Sequence, residues 1–528
     1  MYLLLKLRWI NFIKHVASNF ICVFKTPMLK EKEMKLAKLN KLTLALGMSA
    51  GIVLTGCGSS SSDNDGDRDV RAKNVILMVT DGASDGAWDI AAYWQHGQLA
   101  NSVEPYSLID TRYAMTTFPL YSGSDPHDRC DEENGKPQVS YDASKVWDDS
   151  HSDSLIFKGY EYIDQDATDS AAAGTALAAG VKTYNNAISV DYCGRPLKII
   201  TEYAKEQGMS TGVVSSVQFS HATPAAFGAQ HVTRRDMAEI GDKMLTSGYL
   251  DLIMSTGHPY YDADGVERSP TDYNLYTMGE ESWSQLLDGE LYAAGAEEPW
   301  AFFDSKADFE ALANGSADYQ YLRAPLIALA QNDSTLQQGR THCADTDVAF
   351  ACPQVANVPS LETMTKGALN YLSQNPNGFF VMVEGGAVDW AAHANHTARI
   401  IEEQIDFDDS VAAVIKWVEE NSSWDETMLI VTTDHGNSYV LGEASDQVAY
   451  AAVESAGQGK MPEVKFYSTD HTNELVRVYV KGVGEDMFAQ HFDGKDEKYA
   501  EMYQNEGATG DYFDNTNIFD VMKEFIID

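Results

Sequence analysis

Basic residues are scarce in this chain. Its 528 residues include 38 Lys and Arg against 79 Asp and Glu, a formal charge of -41 with neutral histidine. This balance excludes nucleic acid as a partner, because binding to phosphate backbones rests on clustered Lys and Arg. Cysteine is scarce too: there are six, and no two have CxxC spacing, which argues against a thiolate metal centre. No internal repeat is found, and no long linker follows residue 70. Long apolar runs are also missing. The best candidate, within MKLAKLNKLTLALGMSAGIVLTGC from Met34, is short and broken by glycine, a poor fit to a membrane span. A hydrophobic content of 44% is ordinary for a globular protein and supplies a sizeable core.

The first 56 residues carry nine Lys or Arg and two acids, leaving 29 basic and 77 acidic residues after them. A basic front, a short apolar run and small residues before a cleavage point are the pattern of an export leader, with Met34 as an alternative start. LTGC, Leu54 to Cys57, resembles a bacterial lipoprotein processing box, in which Cys57 becomes the lipidated first residue. Residues 57–70 then form a flexible polar tether. Gly58, where an Asp would retain the protein, resembles the outer-membrane sorting pattern. The expected location is outside the cytoplasm, lipid-anchored to a bacterial membrane and facing the periplasm or the cell surface. Cys22 falls in the leader. The four remaining cysteines are an even number in an exported chain, where disulfides persist. Cys343 and Cys352 flank the short loop CADTDVAFAC and pair first, and Cys130 with Cys193 follows by elimination.

Three apolar runs end in acidic or imidazole groups: NVILMVT before Asp81, FFVMV before Glu384, and MLIVTT before Asp434 and His435. Continuous β-branched runs of this kind predict strands buried on both faces of a parallel sheet. Ligands bind such sheets at the carboxyl ends of the strands. Three strands ending this way place several carboxylates along one sheet edge. Helical stretches fit between them, among them CGRPLKIITEYAKEQG, SLETMTKGALNYLSQN and HTARIIEEQIDFDDSVAAVIKWVEEN. The segment 121–160, rich in Asp, Ser, Gly and Tyr, reads as a surface insertion.

VEGGAVDWAAHANH sets Asp389 and His393 four residues apart, on one face of a helix and within reach of a common ion. Taken alone, such a pair is ordinary surface chemistry. With Glu384, Asp434, His435, Asp81 and His471 it becomes an inventory of carboxylates and imidazoles suited to zinc and magnesium, too large for one site. Two metals about 4 Å apart, with a third nearby, serve displacement at phosphorus. ATDSAAAGTALAAG then acquires a use. Asp169 and Ser170 cap an Ala-rich helix, an ion makes the serine an accessible nucleophile, and the helix N-terminus favours a phosphoryl group. HVTRRDM offers Arg234 and Arg235 as fork-shaped cations for an anionic transition state.

TDSAAAGTALAAGVKTYNNAISVD, HATPAAFGAQHVTRRDM, VEGGAVDWAAH, TTDHG and DHTNE, in this order and spacing from about Asn74 onward, resemble the alkaline phosphatase family. The resemblance implies an α/β three-layer sandwich, a large, mostly parallel central sheet flanked by helices, as a single catalytic domain over residues 71–528. It implies hydrolysis of small phosphate monoesters through a phosphoserine, with two Zn2+ and one Mg2+, in a homodimer. Carried over by position, Ser170 is the nucleophile. Asp389, His393 and His471 hold one zinc, and Asp81, Asp434 and His435 hold the other. Asp81, Thr223 and Glu384 hold magnesium. Arg234, oriented by Asp169, clamps phosphate, with Arg235 the alternative. His221 stands where some members have Asp, which opens the third site to direct imidazole ligation and to Zn2+ or Co2+. Trp390 replaces a basic residue, and Asn437 replaces a second His that could tune the zinc. TDSAAAGTA and HATPAA set the chain apart from the phosphodiesterases, sulfatases and phosphoglycerate mutases of the same superfamily.

Overall fold

A computed structural model describes residues 73–316, 324–343 and 346–527. The leader, Cys57 and the tether lie outside the described residues.

The apolar runs become strands because β-branched residues pack well on a pleated surface. In chain order the strands are β1 (Asn74–Thr80), β2 (Thr111–Thr116), β3 (Ser210–Gln218), β4 (Leu252–Thr256), β5 (Ala301–Phe303), β6 (Leu326–Leu329), β7 (Phe379–Gly385) and β8 (Thr427–Thr432). The short β9 (Gly436–Asn437), β10 (Val440–Gly442), β11 (Val464–Phe466) and β12 (His471–Thr472) follow, then β13 (Val476–Gly482), β14 (Gly494–Lys495) and β15 (Asp511–Asp514). Eleven of them form one sheet in the order β14-β15-β2-β13-β8-β1-β7-β3-β4-β6-β5. From β8 across to β5 every neighbouring pair is parallel, whereas β13 runs antiparallel to both β8 and β2.

β1 shows why both faces are covered. Ile76 and Met78 join one core, with the helices Asp85–His96, Leu361–Leu372 and Thr397–Asn421. Val75, Leu77 and Val79 join the other, with Ser170–Ala179, Ile200–Glu206, Met237–Thr246 and Thr516–Ile527. The result is three layers. Burying each such side chain contributes roughly 1.5–3 kcal/mol, which is why a continuous run needs helices on both sides.

The three carboxylate-bearing strands are neighbours. β8, β1 and β7 lie side by side at the centre, with Val79 registered against both Glu384 and Thr432. Their carboxyl ends therefore open at one place.

Residues 121–168 contain only short helices, Ala143–Val146 and Lys158–Tyr162. Tyr160 is buried against Tyr439, Tyr450 and Tyr467, so this segment is anchored by aromatic packing rather than by a sheet. Disulfides join Cys130 to Cys193 and Cys343 to Cys352, with Cα–Cα separations of 5.8 and 5.9 Å, inside the usual range for a bridge. Both pairs are those expected from the sequence. Among the described residues no helix is long and apolar enough to cross a membrane.

Candidate metal centre and nucleophile

Asp81 follows β1, Glu384 is the penultimate residue of β7, and Asp434 and His435 follow β8. Asp389 and His393 ride on the helix Ala387–His393 that leaves β7. His471 arrives on β12, which pairs with β9 immediately after His435. Two clusters result: Asp389 with His393 and His471, and Asp81 with Asp434 and His435. In each, the ligand atoms lie within 4.8 Å of one another. The stacked rings of His435 and His471, 3.7 Å apart, join the two clusters.

All three imidazoles are oriented the same way. Nδ1 of His393, His471 and His435 lies 2.8, 2.8 and 3.1 Å from the carbonyl oxygens of Thr469, Thr168 and Gly436. A carbonyl accepts only, so Nδ1 of each ring carries a proton and Nε2 is the nitrogen left facing the clusters. Nε2 of His393 and of His471 then face each other at 3.2 Å, with Asp389 3.5 and 3.3 Å away. Nε2 of His435 lies 3.4 Å from Asp81 and 3.3 Å from Asp434. In a neutral ring, an Nε2 lone pair facing carboxylates is repelled unless a proton or a metal cation sits between them.

The carboxylates show the same deficit. Asp434 Oδ1 accepts from the backbone N–H of Gly82 and His435, but its Oδ2 is buried without a partner. Both oxygens of Asp81, Oε1 of Glu384 and Oγ1 of Thr223 are likewise buried and unpartnered. Burial, reinforced by Asp434 and Asp389, pushes Asp81 well above the carboxylate range. Burial and Asp389 take Asp434 to about 7, and burial, with Asp434 adding to it, takes Glu384 to about 8. Burial would lift Asp389 too, but His471 and His393 beside it hold it below its usual value. Burial works against a charged His471, yet Asp389 raises it to about 9. Orphaned oxygens, repelling carboxylates and converging imidazole nitrogens in a largely buried setting together fit bound cations. Aspartate and histidine suit zinc at the first two clusters; the oxygens of Asp81, Glu384 and Thr223 suit magnesium.

Close backbone approach makes the cluster possible at Gly82. Its φ is +70°, and a Cβ there would lie 2.6 Å from Asp389 Oδ1, so glycine alone fits.

Ser170 opens the helix Ser170–Ala179, with Asp169 as its N-cap accepting from Ala172 N–H. The seryl oxygen lies 3.2 Å from His435 Nε2 and is buried. Small residues let a second helix approach: Gly174 faces Ala226 and Thr223. Asp169 Oδ2 accepts from Arg234 at 3.1 Å and from Asn186 N–H at 2.9 Å. Arg234 reaches into the cleft while Arg235 is exposed, so the structure brings Arg234 to the serine. Arg234 also donates to His221 Nε2 at 3.2 Å, and burial and Arg234 take His221 down to about 3, leaving it neutral. With Nε2 committed, Nδ1 is its remaining ring nitrogen, buried and unpartnered. The cleft, about 520 Å³, is lined by Ser170, His221, Arg234, Asp389, His393 and His471, together with Trp390 and Asp470.

Ser215 escapes sequence reasoning, and so does the role of Asn437, a position the sequence singled out only for the imidazole it lacks. Ser215 donates to Glu384 Oε2, a contact that follows from β3 lying beside β7, where Ser215 and Glu384 are register partners. Asn437 donates to Asp389 Oδ1 at 2.7 Å, so this position holds a ligand in place rather than merely lacking an imidazole.

A family model described as alkaline phosphatase matches residues 148–512. Alkaline phosphatase 4 of Bacillus subtilis is 36% identical over 277 residues, 52% of this chain and 50% of that protein. Alkaline phosphatase H of Pseudomonas aeruginosa is 29% identical over 383 residues, 70% of each. This chain spans about half the length of several curated relatives it matches, the Bacillus protein among them. A cold-active alkaline phosphatase from a psychrophilic Shewanella species superposes with a TM-score of 0.55 at 20% identity, covering 86% of this chain and 99% of that one, which shows the shared fold.

Proposed function

Since the chain belongs to the alkaline phosphatase family, we propose that it hydrolyses phosphate monoesters through a phosphoserine on Ser170. The observation that carries this reading is the position of Ser170. Its oxygen stands at a helix N-terminus beside His435 of one carboxylate–imidazole cluster, in a cleft also lined by Asp389, His393 and His471 of the other and by Arg234.

The chain's own groups divide the work. The first N–H groups of the Ser170–Ala179 helix and its dipole attract the phosphoryl oxygens. Arg234, steadied by Asp169, offers its remaining N–H donors to the same oxygens, and the contact strengthens as charge builds in the transition state. Attack by the Ser170 oxygen on phosphorus forms the P–O bond to serine and breaks the bond to the leaving oxygen, which takes up a proton as alcohol. Water then cleaves the phosphoserine, returning the proton to Ser170 and releasing phosphate. Two zinc ions at the paired clusters and a magnesium at Asp81, Glu384 and Thr223 would supply the positive charge that lowers the serine pKa and offsets phosphate charge. The carbonyls of Thr469, Thr168 and Gly436 keep the three imidazoles in the tautomer that leaves Nε2 free.

Hydrolysis of a chromogenic monoester by the chain from Cys57 onward, stripped by chelator and reloaded with zinc and magnesium, tests the reading. Activity should vanish and return, and should exceed hydrolysis of a matched diester or sulfate ester. Ser170→Ala should bind phosphate and lose turnover; a folded wild type without turnover under any metal overturns the proposal. Export and lipid attachment at Cys57 belong to the same proposal, and incorporation of a labelled fatty acid that Cys57→Ser abolishes tests them.

A further inference from the structure

Three residues before Arg234, His231 enters a second kind of cluster. One ligand atom each from His231, Asp236 and Glu239 lies within 4.8 Å of the other two, and none of the three lines the catalytic cleft. The backbone of His231 is clamped by paired hydrogen bonds with Ile188, of 2.9 and 2.7 Å. Asp236 stands just before the helix Met237–Thr246, and Glu239 lies in its first turn.

Acids at the start of a helix are ordinary, since they complement the dipole. The imidazole is what departs from that pattern. His231 is only 8% exposed, and its Nδ1 lies 2.7 Å from the carbonyl oxygen and 3.2 Å from the backbone N–H of Thr233, both within its own turn. Nε2 is directed at Glu239 Oε1, 3.5 Å away, and at Asp236 Oδ2, 3.8 Å away. The Glu239 contact is at the outer limit of a hydrogen bond and the Asp236 contact is beyond it. They match the spacing of ligands around a common ion, since two ligands each about 2.1 Å from a tetrahedral zinc sit about 3.4 Å apart. Lys243 pairs with Glu239 at 2.9 Å. Its ammonium is on a flexible, part-exposed stem and can swing into water without stranding a buried charge.

We propose that His231, Asp236 and Glu239 form a separate site for a divalent transition metal of the zinc class. One imidazole and two carboxylates supply three ligands, and the exposed side completes the shell with water. Calcium is a poorer fit, because it takes six to eight oxygens.

The test counts metal rather than activity. The full chain is dialysed against buffered micromolar Zn2+ at neutral pH, and bound zinc per chain is measured by elemental mass spectrometry. The comparison is with Glu239→Gln and Asp236→Asn, whose side chains are about 60% exposed and leave the core untouched. Each variant should hold one zinc fewer than the wild type at the same free zinc, with monoesterase turnover retained. His231→Gln, checked for folding by circular dichroism, should show the same loss. Equal zinc content in the wild type and both surface variants overturns the site.

Discussion

Arg234 and Arg235 are chemically identical and adjacent, yet only one can meet an anion beside Ser170. Arg234 is tied to Asp169 and His221, whereas Arg235 faces solvent. Arg234→Ala should weaken substrate and phosphate binding by one charge-assisted hydrogen bond or more, about 1.5–3 kcal/mol, seen as a rise of tenfold or more in KM and in the phosphate inhibition constant. Arg235→Ala should leave both near wild type, and the reverse pattern would move the clamp. Asn437 acts one step back from the proposed ion sites. Removing its donor to Asp389 in Asn437→Ala should cost about 10–100-fold in zinc affinity, measurable by competition with a chromogenic chelator. Unchanged affinity would reduce Asn437 to packing.

The 25-residue helix Thr397–Asn421 packs against the sheet and carries Glu403 and Asp408 on buried positions and Asp406 on a part-buried one. Burial raises all three, Glu403 to about 8 with Asp406 and Glu402 adding to it, and Asp406 and Asp408 to about 7. Their unfolded values lie near 4. Between about pH 4 and pH 8 the native chain therefore keeps protons that the unfolded chain has lost, so stability falls as pH rises through this window. Glu403→Gln should make that slope shallower by up to about 1.4 kcal/mol per pH unit, read from urea unfolding of metal-free protein at several pH values. Parallel slopes in wild type and variant would show that Glu403 is ionised in the fold. Element boundaries themselves were legible where apolar runs were long, at β1, β7 and β8. The helix expected around CGRPLKIITEYAKEQG proved shorter, Ile200–Glu206, because its leading residues form a turn that pairs Val190 with Pro196.

At the scale of the whole molecule, the Cys130–Cys193 bridge ties the irregular segment 121–168 to the body across a sequence separation of 63 residues. Restricting a loop of that length in the unfolded chain contributes about 4 kcal/mol, against about 2.5 kcal/mol for a nine-residue span such as Cys343–Cys352. Cys130→Ser with Cys193→Ser should therefore lower Tm more than Cys343→Ser with Cys352→Ser. An equal or inverted order in scanning calorimetry would show that native packing, including the tyrosines around Tyr160, holds the segment without the bridge.

The amino-acid order by itself determined the strands β1, β7 and β8, the helix under Ser170, the Asp389–His393 spacing and the gathering of carboxylates at one sheet edge. Those follow from short-range rules: side-chain period, helix caps, and the requirement that a continuous apolar run be covered on both faces. Only the tertiary structure decided that β8, β1 and β7 are neighbours, which of two arginines turns inward, that Ser215 meets Glu384 and that Asn437 holds Asp389. These depend on register between strands far apart in the chain, and on which carbonyl or carboxylate lies within 3 Å of a given donor. Periodicity along one segment carries no such information, because the partner is supplied by a different segment through packing.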